Sequence, residues 1–242
     1  MKRYIATVLA LMLATIAMPV AAQAPVTPSA QNPVREISKV AGDIYRFRNN
    51  NHYSIFVVTV AGIIVTDPIN AAAATWLKGE LARNWPNRTV KFLAYSHDHA
   101  DHSSGGEVFA DTATVVSHQN AKEVIVGEKR PTAVPQVTFT DQLTIELGGT
   151  VMELNYVGRN HSNNSVVMRF PKEKVAFAVD FIPVNAVSFR DFPDAYIDEW
   201  IDSLRRVEAM EFDILAPGHG PLGSKADVMA FRGYLEDLRA QV

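Results

Sequence analysis

VKFLAYSHDHADHSSGG, residues 90–106, runs from an apolar stretch of strand length straight into three histidines and two aspartates within six residues. Val90–Tyr95 reads as a strand, and His97, Asp98, His99, Asp101 and His102 follow at its end. Alternate residues of an extended segment point the same way, so His97 and His99 can grip one ion. Asp101 and His102 come after the chain bends and can face a second ion beside the first. Neutral imidazoles and carboxylates suit zinc. Three imidazoles and two carboxylates at one loop would be a costly core feature without a cation, and a solvated polar loop is the alternative reading.

Three further residues sit at comparable places. His161 lies in GRNHSNNS between two strand-like runs, Asp180 ends the apolar run Val175–Val179, and His219 lies in PGHG directly after Ile214–Leu215. Singly, each is a weak signal. Together they put every potential donor at a strand end, where loops converge on a shared site.

The remaining chain supplies the frame. Ile44–Phe47, Tyr53–Val60, Gly62–Thr66, Thr114–Ser117, Gln136–Phe139, Leu143–Leu147, Val151–Val157 and Ser165–Phe170 are rich in β-branched and aromatic residues and read as strands. Ala71–Asn84, Gln119–Val126, Tyr196–Met210 and Lys225–Ala240 carry helical spacing. The order is strands, helix, strand, helix, then a second run of strands closed by helix, strand, helix. This predicts an α/β fold: a four-layer αββα sandwich of two mixed β-sheets flanked by helices, with a single mixed sheet as the alternative.

SHDHADH (Ser96–His102), NHS (Asn160–Ser162), Asp180 and PGHG (Pro217–Gly220) resemble the motifs of the metallo-β-lactamase superfamily over about residues 40–240. The resemblance implies the same sandwich and two Zn2+ per chain. His97, His99 and His161 would bind the first ion, Asp101, His102 and His219 the second, and Asp180 would bridge them. It also implies that Asp67, in IIVTDP, supports the ligand loop from behind; a plain turn-forming aspartate is the alternative. The chemistry expected is hydrolysis of a carbonyl bond by metal-activated water, with Asp101 as the catalytic residue that orients the nucleophile.

The substrate reading starts from His161–Asp180, which looks like the corresponding stretch of zinc β-lactamases. Two positions depart from that pattern: Asp180 stands where the best-known lactamases place a cysteine, and Pro183 where many place a carboxylate-binding lysine. Asn185 or Arg190 is expected to take the substrate-binding part. His52, in NNNHYS, is a substrate-contact candidate, with an exposed turn histidine as the alternative. His118 and Trp200 read as structural, Phe189 and Phe192 as pocket residues. A bridging Asp180 is more typical of glyoxalase II and lactonases, but only 242 − 219 = 23 residues follow His219, too few for the helical tail of glyoxalase II. A lactone, ester or thioester hydrolase and a low-turnover zinc-binding or redox-relay accessory protein remain alternatives to β-lactam hydrolysis.

The first 22 residues read as a signal peptide: Lys2 and Arg3, an apolar run to Val20, and small residues for cleavage after Ala22. Residues 23–34 form a Pro- and Ala-rich flexible lead-in, and 35–242 the domain. Removing the leader leaves 23 − 2 = 21 basic against 26 acidic residues, a net charge of −5. That balance, without a basic stripe, argues against nucleic acid and anionic membranes as partners. A periplasmic monomer acting on a small molecule is expected. The absence of cysteine fits that compartment and excludes thiolate ligands.

Overall fold

The computed structural model describes residues 32–188 and 194–242. The leader, the lead-in up to residue 31, and Phe189, Arg190 and Phe192 lie outside the described residues. Pro33–Val242 forms one compact unit.

Its first sheet has seven strands in sequence order: β1 (Arg35–Ala41), β2 (Ile44–Asn49), β3 (His52–Thr59), β4 (Gly62–Thr66), β5 (Val90–Ala94), β6 (Thr114–His118) and β7 (Val137–Phe139). The first four pair antiparallel and the last three join in parallel. Helices α1 (Ala71–Asn84) and α3 (Gln119–Gly127) provide the crossovers, and α2 (Ala100–Ser103) is a single turn after β5. The second sheet is ordered β12 (Ile214–Ala216), β11 (Val175–Phe177), β10 (Val166–Phe170), β9 (Thr150–Tyr156), β8 (Gln142–Leu147), and only β11 and β12 pair in parallel. Both sheets are therefore mixed. Helices α4 (Ile197–Glu208) and α5 (Lys225–Gln241) complete the chain.

Strand alternation sorts the apolar residues into three buried layers. Ile44, Ile55 and Ile64 from the first sheet meet Leu154, Met168 and Phe177 from the second. On the outer face of the first sheet, Ile63, Val65 and Leu93 pack against Ala73, Leu77 and Leu81 of α1. On the outer face of the second, Val167, Ala176 and Leu215 pack against Trp200 and Leu204 of α4 and Leu235 of α5. The result is the four-layer αββα sandwich. Because both faces of β4 are covered, Gly62–Thr66 is buried throughout and reads as a continuous apolar run rather than an alternating one. Each large apolar side chain so enclosed contributes about 1.5–3 kcal/mol.

β1 is an addition to the sequence reading. REISKVA is half polar and borders the lead-in, and its exposed edge position tolerates that pattern. Element ends otherwise differ from expectation by a few residues. β11 stops at Phe177, so Asp180 sits three residues beyond the strand rather than at its last position.

The loop end near β5 is tightly built. Asp67 (φ 22°) and Ile69 (φ 69°) occupy the left-handed region, which is strained for a β-branched residue. The Ile69 N–H donates to the His102 carbonyl (2.9 Å), fixing the two loops together. Gly105 (φ 89°) permits this approach, because a Cβ there would lie 2.4 Å from the Ala71 nitrogen.

Candidate metal centre

Two groups of donors form at this end, each with ligand atoms within 4.8 Å of one another: His97, His99, His161 and Asp180; and Asp101, His102, Asp180 and His219. In the first, His99 Nδ1 faces His161 Nε2 at 2.9 Å, while Asp180 Oδ2 lies 3.5 Å from His97 Nε2 and 3.7 Å from His161 Nε2. In the second, His102 Nε2 lies 3.1 Å from His219 Nε2 and 3.1 Å from Asp180 Oδ1. His219 Nε2 is 3.4 Å from the same oxygen, and Asp101 Oδ2 is 3.6 Å and 3.7 Å from His102 and His219. Asp180 thus belongs to both groups, one oxygen to each.

The separation of the groups follows from local backbone. His97 and His99 precede α2, whereas Asp101 and His102 lie within it. The helical turn rotates the second pair away from the first.

Supporting contacts orient the rings. His99 Nε2 meets Asp194 Oδ2 at 2.9 Å, and His97 Nδ1 meets Ser96 Oγ at 2.9 Å. His219 Nδ1 donates to the Asn51 carbonyl (2.9 Å), which turns the Nε2 lone pair inward. Asp67 accepts the Ser96 backbone N–H through Oδ1 (2.8 Å) and points Oδ2 at His102 Nδ1, 3.8 Å away, beyond hydrogen-bond length. It therefore backs the ligand loop.

Asp98 was legible only as part of the acidic loop. Buried, it donates its backbone N–H to Asn164 Oδ1 (3.0 Å), accepts from Asn164 Nδ2 (2.7 Å) and pairs with Arg130 (2.9 Å). This reciprocal clamp fixes the loop of His97 and His99 to the loop of His161. Asn164 within HSNNS could have been flagged by its place beside His161.

Burial holds His161 down at about 3, aided by His97, and also lowers His99 and His219, so these imidazoles keep free lone pairs at neutral pH. Burial opposes ionisation of Asp180, but His102 and His97 hold its pKa well below the carboxylate range. Burial likewise opposes protonation of His102, yet Asp180, Asp67 and Asp101 raise it to about 9. Neutral imidazoles and ionised carboxylates are what a cation requires, so His102 would give up its proton as an ion binds. Among the described residues, His97 Nε2 and Asp180 Oδ1 are buried without a hydrogen-bond partner. Ligands held about 2.1 Å from a tetrahedral zinc lie about 3.4 Å apart. The contacts above, 2.9–3.7 Å, bracket that distance. The residues present fit two such ions.

The other sequence candidates separate. His52 opens β3, with Nε2 3.2 Å from Asp101 Oδ2 and its ring 4.6 Å from that of His219. Asn185 is exposed and lines a groove with Val187, Phe231 and Tyr234 that contains none of the seven donors. His118 stacks on Tyr156 (4.2 Å) and reaches the Thr140 carbonyl (3.0 Å), and Trp200 is buried, its Nε1 donating to the Phe181 carbonyl (2.8 Å). A cleft of about 410 Å3 is lined by Asp98, Arg130, Ser162, Asn163, Asp194 and Tyr196 among others, and like the groove of Asn185 it contains none of the seven donors.

A family model described as the metallo-beta-lactamase superfamily matches residues 50–219. The 2,4-dinitroanisole O-demethylase subunit alpha of Nocardioides sp. (strain JS1661) is 25% identical over 191 residues, covering 77% of this chain and 58% of that protein. The type 2 metallo-beta-lactamase of Bacteroides fragilis is 27% identical over 177 residues, covering 72% and 67%. The chain thus spans less than two thirds of the first of these relatives. Among solved structures, a metallo-beta-lactamase from Pontibacter korlensis superposes with a TM-score of 0.78 at 21% identity, over 84% of this chain and 100% of that one. The DIM-1 metallo-beta-lactamase superposes with a TM-score of 0.74 at 20% identity, over 85% and 99%. These structures agree in fold.

Proposed function

The chain belongs to the metallo-β-lactamase superfamily, and on that premise we propose that it is an exported hydrolase that holds two zinc ions and opens a carbonyl bond, a β-lactam being the first candidate substrate. One observation carries the reading. Asp180 turns Oδ2 toward His97 and His161 and Oδ1 toward His102 and His219, as a carboxylate shared by two cations must.

His97, His99 and His161 would hold one ion and Asp101, His102 and His219 the other. Bound zinc supplies Lewis acidity and makes water nucleophilic near neutral pH. The chain's own residues then position and relay. Asp101 is half exposed at the mouth of the site, and His52 fixes its Oδ2, so this carboxylate would orient the attacking water. Export to the periplasm rests on the leader, and action without nucleic acid or membrane partners rests on the acidic balance of the mature sequence.

A second reading keeps the metal-activated water and changes the substrate to a lactone, ester or thioester, or to an activated aryl ether, where water would add to the electron-poor ring carbon and methanol would leave. Asp180 and Pro183 stand where the best-known zinc β-lactamases carry a cysteine and, in many of them, a lysine. The relative from Nocardioides is named an O-demethylase of 2,4-dinitroanisole. Metal analysis of purified protein, followed by turnover of nitrocefin, a lactone, a thioester and 2,4-dinitroanisole, separates the two. Turnover of nitrocefin that is lost in EDTA and restored by zinc is expected. Equal rates in stripped and loaded protein would refute the metal reading. Activity confined to the other substrates would select the second.

A further inference from the structure

Arg46 stands where the sandwich calls for an apolar residue. On β2 it shares the inward face with Ile44 and lies opposite Ile55 of β3, both in the layer between the sheets. It is only 6% exposed. Burial lowers its pKa to about 10, with Tyr53 acting in the opposite direction, so it stays protonated at neutral pH.

A buried guanidinium must find acceptors. Arg46 Nη2 donates to two carbonyls, Pro217 and Gly220, each at 2.8 Å, and the guanidinium lies 3.6 Å from the Tyr53 ring centroid. Those carbonyls bracket His219. The same β2–β3 hairpin supplies the Tyr53 N–H to the Gly218 carbonyl (2.8 Å) and the Asn51 carbonyl to His219 Nδ1 (2.9 Å). Pro217–Gly220 follows β12 of the second sheet, whereas β2 belongs to the first. Arg46 is thus a side-chain staple across the sandwich, ending at a donor loop of the second group that the Asp98–Asn164 clamp does not touch.

We propose that Arg46 is a positioning residue for the second metal subsite, holding His219 in place while leaving the first subsite to its own supports. The proposal rests on the two-ion reading above. Without the guanidinium, the Pro217 and Gly220 carbonyls lose their shared donor, the loop turns them toward water, and His219 moves with it.

The test is a zinc titration against a chromophoric chelator, run beside cobalt(II) absorption spectra, on wild type, Arg46→Met, Arg46→Lys and the reference variants His219→Ala and His161→Ala. Arg46→Met should keep one ion within about threefold of wild type and weaken the other about 10–100-fold, the range of outer-shell losses. Its cobalt spectrum should match that of His219→Ala and not His161→Ala. Arg46→Lys, which retains a donor, should restore part of the loss. Equal weakening of both ions, or of neither, would overturn the proposal. If Arg46→Met fails to fold, as judged by circular dichroism, Tyr53→Leu removes the stacked ring and keeps the charge. It should weaken the same ion, and no change in it would be equally fatal. A wild type that binds only one ion would overturn the two-ion reading itself, before any variant is compared.

Discussion

Replacing Gly218 by alanine should cost far more activity than stability. A Cβ at this position would lie 2.3 Å from Val179 Cγ1, 2.8 Å from Asp180 Oδ1 and 2.8 Å from His102 Cε1. Carbon atoms rest about 3.5 Å apart or more, so Val179 must yield by about 3.5 − 2.3 = 1.2 Å. Val179 is buried, and the Gly218 N–H is bonded to its carbonyl (2.8 Å), so neither side moves alone. The other two neighbours are donors that must also shift. Overpacking of this kind costs about 1–3 kcal/mol. At about 2–4 °C per kcal/mol for a domain of this size, the melting midpoint should fall by about 2–12 °C. A displacement near 1 Å at reacting groups costs about 100-fold in rate. The assay is kcat/KM on the best substrate of the panel, measured well below the midpoint, with metal content and a thermal melt on the same sample. A folded variant with activity about 100-fold down and metal partly lost is expected. Activity within threefold of wild type with both ions retained would refute the packing argument.

Asp180→Asn removes the negative charge between four imidazoles and should weaken both ions together, unlike Arg46→Met; a chelator titration showing only one affinity changed would contradict the shared carboxylate. Asp98→Ala opens the loop clamp and leaves Arg130 paired with Glu128 alone (2.9 Å), so urea denaturation should report a loss of about 1–3 kcal/mol, and a loss below about 0.5 kcal/mol would mean that the pair is solvent-screened. His118 has its pKa lowered by burial, so the unfolded chain takes up the proton first as pH falls. Its contribution is complete above the unfolded value of about 6.5 and is lost as pH drops through the folded one. Nδ1 also accepts the Asn120 N–H at the start of α3, a bond that a second ring proton would destroy. Urea midpoints for His118→Asn, which retains a capping acceptor, should therefore fall less steeply from pH 7 to 5 than those of wild type, and parallel curves would exclude this role.

The donors were legible because each followed a strand whose apolar run could be read, so strand ends located them without any view of the loops. The sandwich was legible for a related reason: Gly62–Thr66 and Val175–Phe177 are apolar on both faces, as strands covered by a sheet and a helix must be. β1 was missed because an edge strand needs no such run. Asp98 and Arg46 were missed because their roles depend on partners 66 and more than 170 residues away. A signal for Arg46 did exist: Ile44, Arg46 and Ile55 place a charge on an inward face, which an apolar pattern does not explain. His52 is a candidate from the sequence, but its partner Asp101 comes only with the fold.

The seven donors come from loops of both sheets and span residues 97 to 219. Each group draws on loops of both sheets, His97 and His99 with His161 and Asp180, and Asp101 and His102 with Asp180 and His219, so cation capture would follow the docking of one half of the sandwich on the other. Chelation then becomes a reporter of the order of assembly: a refolding chain should gain its secondary structure and buried fluorescence before it withdraws zinc from solution. Once captured, the cation favours the docked state by mass action, so metal supply sets how long the finished protein resists unfolding.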